Sequence, residues 1–368
     1  MNPDRVPPAK INCAVIGLKQ GLESVYVLLN HPAFSLKVIC DTNPEPFGWI
    51  TGKVNPETSK DDYPHIPPAK RLLGELPKSP GISGIEFMSD FQAVLRRTDI
   101  HAVLIFVPDA LHEEFTIAAL KAGKHVLCTK PMALTPESAE RIAVVARSNA
   151  HRYMLGFHFI YTPFARRVME EIRKGSLGTV RQISFHYDRG PFRPIYRKKA
   201  VSRGPIVQEC CHWFDLLYLL NGQSKFTKVA AFGGLDMHGD IQDIEDNGAL
   251  IIEYQNKVRA AHLFTYFRRC RHPEMITLVG ERGLMRGSFD HLMLESDSGD
   301  QTIEIPNNRR LPGLIHEGFY EMHDEFAGMI LENRESYSGW ETGLENVLIS
   351  DAAQKALDRG GIVMRGGK

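Results

Sequence analysis

The chain has 368 residues, with 44 basic side chains against 44 acidic ones and a formal net charge of zero. That length exceeds what a single hydrophobic core organises, so two domains are expected. A neutral chain has no global field to draw it onto nucleic acid or an anionic membrane, and no run approaches the ~20 apolar residues of a span, so neither partner is expected.

The opening residues MNPDRVPPAK lack the apolar centre of a signal peptide. The six cysteines, Cys13, Cys40, Cys128, Cys210, Cys211 and Cys270, show no CxxC spacing and read as small packing residues. Adjacent Cys210 and Cys211 would bridge only with strain. A cytoplasmic protein without a metal cluster is the expectation.

Residues 11–17, INCAVIG, form a short apolar run closed by glycine, which reads as a buried parallel strand. A helix follows over 22–30, stopped by His31-Pro32, and a second strand, LKVIC, ends at Asp41. Residues 43–83 are rich in Pro, Gly, Lys and Asp and read as an inserted loop with a short helix near 68–76. The alternation then resumes with helix DFQAVLRRTD, strand HAVLIFVP, helix HEEFTIAALKAG, strand KHVLCTKP, helix PESAERIAVVARSN and strand RYMLGF. Strands separated by helices of this length predict right-handed βαβ units, and so a doubly wound parallel (Rossmann) sheet over residues 1–156. Ligands of such a sheet lie beyond the carboxyl ends of its strands, here Gly17, Asp41, Pro108 and Lys130.

A dinucleotide fingerprint asks for G-x-G-x-x-G after the first strand. The chain offers Gly17-Leu18-Lys19-Gln20-Gly21-Leu22. Lys19 takes the second glycine's place and Leu22 the third's, while Gly21 does part of the work if the turn is one residue different. Lys19 either faces a phosphate or points to solvent. Asp41 either accepts the hydroxyls of an adenosine ribose or is a turn residue before Asn43-Pro44. A carboxylate there repels a 2′-phosphate and Thr42-Asn43 bring no arginine, so NAD is favoured over NADP.

From residue 157 the pattern changes. The runs TVRQISFHY, FTKVAAFG, GALIIEY, KVRAAHLFTYF, MITLVG, HLMLES and QTIEI recur with Gly, Asn and Asp between them, which predicts a second α/β domain over 157–368 built on a mostly antiparallel sheet.

Residues 102–131, AVLIFVPDALHEEFTIAALKAGKHVLCTKP, resemble the Gfo/Idh/MocA oxidoreductases, the glucose–fructose oxidoreductase and inositol dehydrogenase group. The resemblance continues through GFHFIYTPFARRVMEEIRKGSLGTVRQISF, CHWFDLLYLLNG and the terminal helical segments HEGFYEMHDEFAGMI and GWETGLENVLISDAAQKAL. It covers nearly the whole chain outside 43–83. It implies a Rossmann domain followed by a domain with a large open sheet, one face of which mediates homodimers or homotetramers. It also implies an NAD(P)-dependent oxidoreductase taking hydride from a secondary hydroxyl of a sugar, cyclitol or derivative.

The same resemblance implies the site. Lys130, from the family's Glu-Lys-Pro, lies near nicotinamide and substrate and polarises or deprotonates the reacting hydroxyl. Here Thr129 stands in place of the Glu. His212 is the general base of an Asp-x-Gly-x-His-x-x-Asp pattern, and imidazole suits proton transfer near neutrality. In this chain Gln208 replaces the first Asp and Cys210 the Gly. At helical spacing 208, 212 and 215 share one face, with Asp215 orienting His212 or bonding backbone. Gln208, Lys130 and His212 are thus the expected catalytic set. Val107, Pro108, His112, Thr129 and Lys130 join Gly17, Leu18, Lys19, Gln20 and Asp41 in the cofactor set, His112 either lying close to the cofactor or capping its helix. His158, Tyr196, Arg197, Gln208 and His212 are expected to hold substrate. Ile160 stands where the family has an Arg.

Arg189, Arg193, Arg197, Lys198, Lys199 and Arg203 precede the His212 segment. They either suit an anionic group on the substrate or form a solvated loop or subunit contact. Arg268, Arg269 and Arg271 form a second cluster, expected at the sheet edge. Two further readings stay open: a redox-neutral NAD-dependent glycosidase or lyase, and a non-catalytic nucleotide- or sugar-binding relative.

Overall fold

The computed structural model describes residues 10–267, 275–306 and 310–366. Arg268, Arg269, Cys270 and Arg271, and most of the segment on which the signal-peptide reading rests, lie outside the described residues. The chain forms two compact units, the first of Met1–Thr129, Arg141–Gly156 and Arg309–Trp340, the second of Lys130–Glu140, Phe157–Asn308 and Glu341–Lys368.

Among the described residues the first unit carries six strands: β1 Ile11–Ile16, β2 Phe34–Cys40, β3 Glu86–Met88, β4 Ala102–Ile105, β5 His125–Thr129 and β6 Tyr153–Gly156. They lie in the order β3-β2-β1-β4-β5-β6, all parallel. This is the expected doubly wound sheet, with its strand order reversing between β1 and β4. β4 and β6 are buried at every position, which is why these runs show no polar alternation. β3 was not anticipated. It is a three-residue edge strand, EFM, with no buried position, and so leaves no apolar run to read.

Residues 43–83 are more ordered than a loop. Helices Glu45–Ile50 and Pro67–Glu75 and several 3-10 turns fill the stretch, and Trp49, Tyr63, Leu72 and Leu76 are buried. Proline and glycine there punctuate short packed turns.

A distant segment returns to this unit for a polar reason. Glu23, buried in helix Gly21–Asn30, accepts hydrogen bonds from the Ile315 N–H (2.7 Å) and the His316 N–H (2.8 Å). His323 of helix Phe319–Leu331 bonds Ser24 Oγ through Nε2 at 3.0 Å, and His31 meets Asp324 at 2.9 Å. A buried carboxylate needs such partners, and here chain from beyond residue 309 supplies them.

Among the described residues the second unit holds nine strands: β7 Val180–Asp188, β8 Phe226–Gly234, β9 Asn247–Tyr254, β10 Arg259–Thr265, β11 Ile276–Gly280, β12 Gly283–Gly287, β13 His291–Ser296, β14 Gln301–Glu304 and β15 Ile362–Met364. Their order is β14-β13-β12-β11-β7-β10-β9-β8-β15, and among the described residues only the β10–β7 pair is parallel. β12, bracketed by glycines, and β15, a three-residue edge strand, were not anticipated.

The inner face of this sheet packs on helix Cys211–Leu220, with Trp213 against Phe185 (ring centroids 5.3 Å) and Tyr187 (4.7 Å). The outer face leaves Phe232, Ile251 and Leu263 exposed, at 67%, 52% and 43%. Ala249 pairs with both Phe232 and Leu263, and Ile251, two residues on and opposite Ala230 and Ala261, lies on the same face in the adjacent row.

Candidate active site

The nucleotide half belongs to the first unit. Gly17 ends β1 with φ +86°, and a Cβ on it would lie 2.6 Å from the Phe106 carbonyl oxygen, so only glycine fits. Gly21 opens helix Gly21–Asn30, and a Cβ there would sit 2.9 Å from Val15 Cγ1. It therefore does what the fingerprint's third glycine does, bringing helix against strand, one residue early. Leu18 is buried, and Gln20 is the N-cap residue of the helix. Lys19 is not pointed freely to solvent: it pairs with Asp61 of the insert.

Asp41 makes the turn contact expected of it and a second contact besides. Its Oδ1 accepts the Asn43 N–H (2.9 Å), a turn contact, and its Oδ2 accepts the Leu18 N–H (2.7 Å), tying the second strand's end to the glycine turn. An ionised carboxylate has about four acceptor sites, so room remains for ribose hydroxyls. His112 is the first residue of helix His112–Lys121. It is fully buried, and its Nε2 lies 3.1 Å from the Val107 carbonyl oxygen, fixing the loop through Val107 and Pro108 after β4. The narrow turn, the helix N-terminus and the strand-end carboxylate fit a dinucleotide.

The reactive half belongs to the second unit. Lys130 follows Thr129, the last residue of β5, and its peptide bond to Pro131 is cis. Its ammonium donates to the main-chain carbonyl of Gln208 at 2.5 Å. Gln208 lies in a π-helical turn, Ile206–Cys210, that runs into α-helix Cys211–Leu220. The 208, 212, 215 spacing therefore does not define one continuous α-helical face, because i→i+5 bonding rotates Gln208 out of register. The Gln208 side chain turns to the Ser202 carbonyl (3.4 Å). The turn presents its Gln208 carbonyl to Lys130.

His212 is buried in an aromatic cluster, with the rings of His158 at 5.1 Å, Phe159 at 4.7 Å and Phe157 at 5.8 Å. The structure thus brings His158 and His212 together, as expected, and joins Lys130 to Gln208. Asp215 does not orient His212. It is 1% exposed, neither carboxyl oxygen has a hydrogen-bond partner among the described residues, and it lines a cavity the size of one water with Tyr254 and Asn346. Burial pushes its carboxyl well above the ordinary range.

Tyr196 and Arg197 are held by their own loop: Arg193 lies over the Tyr196 ring (5.6 Å), and Arg197 Nε donates to the Phe192 carbonyl (2.7 Å). Most of that loop's charge is neutralised. Arg189 pairs with Glu209, Lys198 with Asp243 (3.7 Å), Lys199 with Glu245 (2.9 Å) and Arg203 with Asp351 (3.3 Å). These partners were missed because acids so far along the sequence carry no local signal. Cys210 and Cys211 are buried and unbridged, and burial pushes the Cys210 thiol up, which makes it a poor nucleophile. No helix among the described residues is long and apolar enough to cross a membrane.

Residues 11–157 match the "Oxidoreductase family, NAD-binding Rossmann fold", and residues 165–286 match the "GFO/IDH/MocA C-terminal domain". The chain is 40% identical over 218 residues to an inositol 2-dehydrogenase of Klebsiella pneumoniae, covering 56% of this chain and 60% of that protein. It is 26% identical over 198 residues to a levoglucosan dehydrogenase of Pseudarthrobacter phenanthrenivorans, covering 46% and 50%. The matches thus span about half the length of these relatives. An oxidoreductase from Agrobacterium radiobacter, solved with NAD+, L-tartaric acid and magnesium, superposes with a TM-score of 0.80 at 15% identity, covering 97% of this chain and 99% of that one. The chain belongs to the GFO/IDH/MocA oxidoreductase family and carries that family's NAD-binding Rossmann domain.

Proposed function

We propose that this protein is an NAD-dependent dehydrogenase oxidising a secondary hydroxyl of a sugar or cyclitol. The observation that carries the reading is Lys130, fixed on the Gln208 carbonyl in the turn that leads into the His212 helix. NAD, held by Gly17, Leu18, Gln20 and Asp41, supplies the hydride acceptor. Lys130 donates a hydrogen bond to the reacting oxygen and polarises it. His212 takes the hydroxyl proton on its imidazole, and His158 and Phe159 keep water from that ring. Asp41 faces the ribose and favours NAD over NADP. A neutral polyol suits the site better than an anionic substrate, because Arg189, Lys198, Lys199 and Arg203 already have carboxylate partners.

The exposed outer face around Phe232, Ile251 and Leu263 is covered by a second copy of the chain, giving a homodimer or a tetramer. Ile251→Glu is expected to yield a smaller species in sedimentation.

The test is a panel of sugars and cyclitols with NAD, read as NADH formation. Lys130→Ala is expected to abolish turnover while NADH still binds. Full activity in that variant overturns the mechanism.

A further inference from the structure

Position 19 is where a dinucleotide fingerprint has its second glycine, so that main chain can approach the diphosphate. A lysine there has a side chain that must go somewhere, and it goes to the insert. Lys19 Nζ pairs with the Asp61 carboxylate, the two side chains being 45% and 13% exposed.

Asp61 is held in place. Its Oδ1 accepts the Tyr63 N–H at 3.0 Å, and its own N–H donates to Ser59 Oγ at 3.1 Å. Ser59 Oγ donates in turn to Glu45 Oε1 at 2.6 Å. Burial opposes the Asp61 charge, but the Lys19 ammonium and the Tyr63 N–H outweigh it and hold the carboxyl below its usual range. The charge is therefore present at neutral pH, beside the turn that opens helix Gly21–Asn30.

We propose that Lys19 and Asp61 form a charge latch on the nucleotide turn, in which the Lys19 ammonium leaves Asp61 for the diphosphate when a dinucleotide binds. This deepens the NAD reading above and rests on it. A diphosphate brings two negative charges to a helix N-terminus that already favours anions, so it competes well with one carboxylate. Asp61 then does two things. It holds Lys19 ready, and it taxes binding, because its own charge repels the incoming diphosphate once the lysine has left. The insert becomes a determinant of cofactor affinity.

The experiment titrates NADH, by nicotinamide fluorescence, into the unaltered protein, D61N, K19A and the double variant at low and high salt, with adenosine as a phosphate-free control. D61N keeps an acceptor for the Tyr63 N–H. It is expected to tighten NADH about fivefold, the equivalent of ~1 kcal/mol for a partly exposed ion pair. K19A is expected to weaken NADH by a similar factor, lessen its salt dependence and leave adenosine unchanged; the double variant should bind more tightly than K19A, by the direct repulsion of Asp61, and less tightly than D61N. Unchanged or weaker NADH binding by D61N overturns the latch, as does equal loss of NADH and adenosine affinity in K19A. If the unaltered protein binds no NADH, the NAD reading falls and the latch with it. If it binds NADH and D61N does not bind more tightly, only the latch falls. Lys19 is exposed, so K19A remains informative even if D61N folds poorly.

Discussion

The Lys130 ammonium is held by a backbone atom, the Gln208 carbonyl oxygen, at 2.5 Å. A carbonyl survives any side-chain substitution at its residue. Gln208→Ala should therefore lower turnover by less than about tenfold, while Lys130→Ala or His212→Ala costs the ~10²–10⁴-fold typical of a lost proton-transfer group. Steady-state rates on whichever polyol the panel identifies would check this. A loss in Gln208→Ala equal to that in Lys130→Ala would show that the amide side chain, not the backbone, does the positioning.

That contact also marks the limit of what the sequence discloses. Lys130 and His212 were singled out through the family resemblance of the motifs around them. The carbonyl was not, since its orientation depends on the π-helical turn Ile206–Cys210, and helical periodicity assumes an unbroken α-helix. β1, β4 and β5 were legible because buried parallel strands write continuous apolar runs. β3 and β15 are three-residue edge strands and write none. In 43–83 the proline density hid a packed segment around Trp49 and Tyr63. Asp61 could not be assigned to Lys19, because an ion pair between distant residues leaves no periodic trace.

Gly17 and Gly21 should respond differently to alanine. At Gly17 the added Cβ meets the Phe106 carbonyl at 2.6 Å, and φ is +86°. Backbone cannot yield as a side chain does, so Gly17→Ala should cost roughly 2 kcal/mol or more and impair NADH binding. At Gly21 the obstacle is a Val15 methyl at 2.9 Å, with no positive φ, so the cost should be smaller. Urea melts of both variants, with NADH titrations, measure the contrast.

Asp215 should prove to be a liability at neutral pH. Its carboxyl is fully buried with no hydrogen-bond partner among the described residues, and burial raises its pKa well above 3.8. Below 3.8 folded and unfolded chains both carry the proton, and the residue then costs nothing. As pH rises past that value the unfolded chain ionises first, and stability is lost until the folded group ionises too. Asp215→Asn, neutral throughout and of the same shape, should therefore be about 1–3 kcal/mol more stable than the parent at pH 7, the scale of an uncompensated buried polar group. The gain should vanish near pH 3.8. An equal difference at both pH values would place its origin in packing.

His323 should make the first unit acid-sensitive in a definite window. Burial lowers its pKa to about 4 from 6.5, although its Nδ1 lies 2.7 Å from the Phe319 carbonyl oxygen. Its Nε2 contact with Ser24 Oγ holds the return segment on helix Gly21–Asn30, so the imidazole is part of what fixes the nucleotide-binding helix. Above pH 6.5 the ring is neutral in both states and its contribution is complete. As pH falls the unfolded chain takes the proton first, and stability drains away until the folded ring protonates near pH 4. At about 1.4 kcal/mol per pH unit for one proton, the loss over that window is on the order of 3 kcal/mol. Urea midpoints between pH 7 and 4 should follow this course, and His323→Gln, which cannot take the proton, should flatten it. A slope that survives the substitution unchanged would assign the acid sensitivity to other buried groups, such as His125, whose pKa is also lowered to about 4.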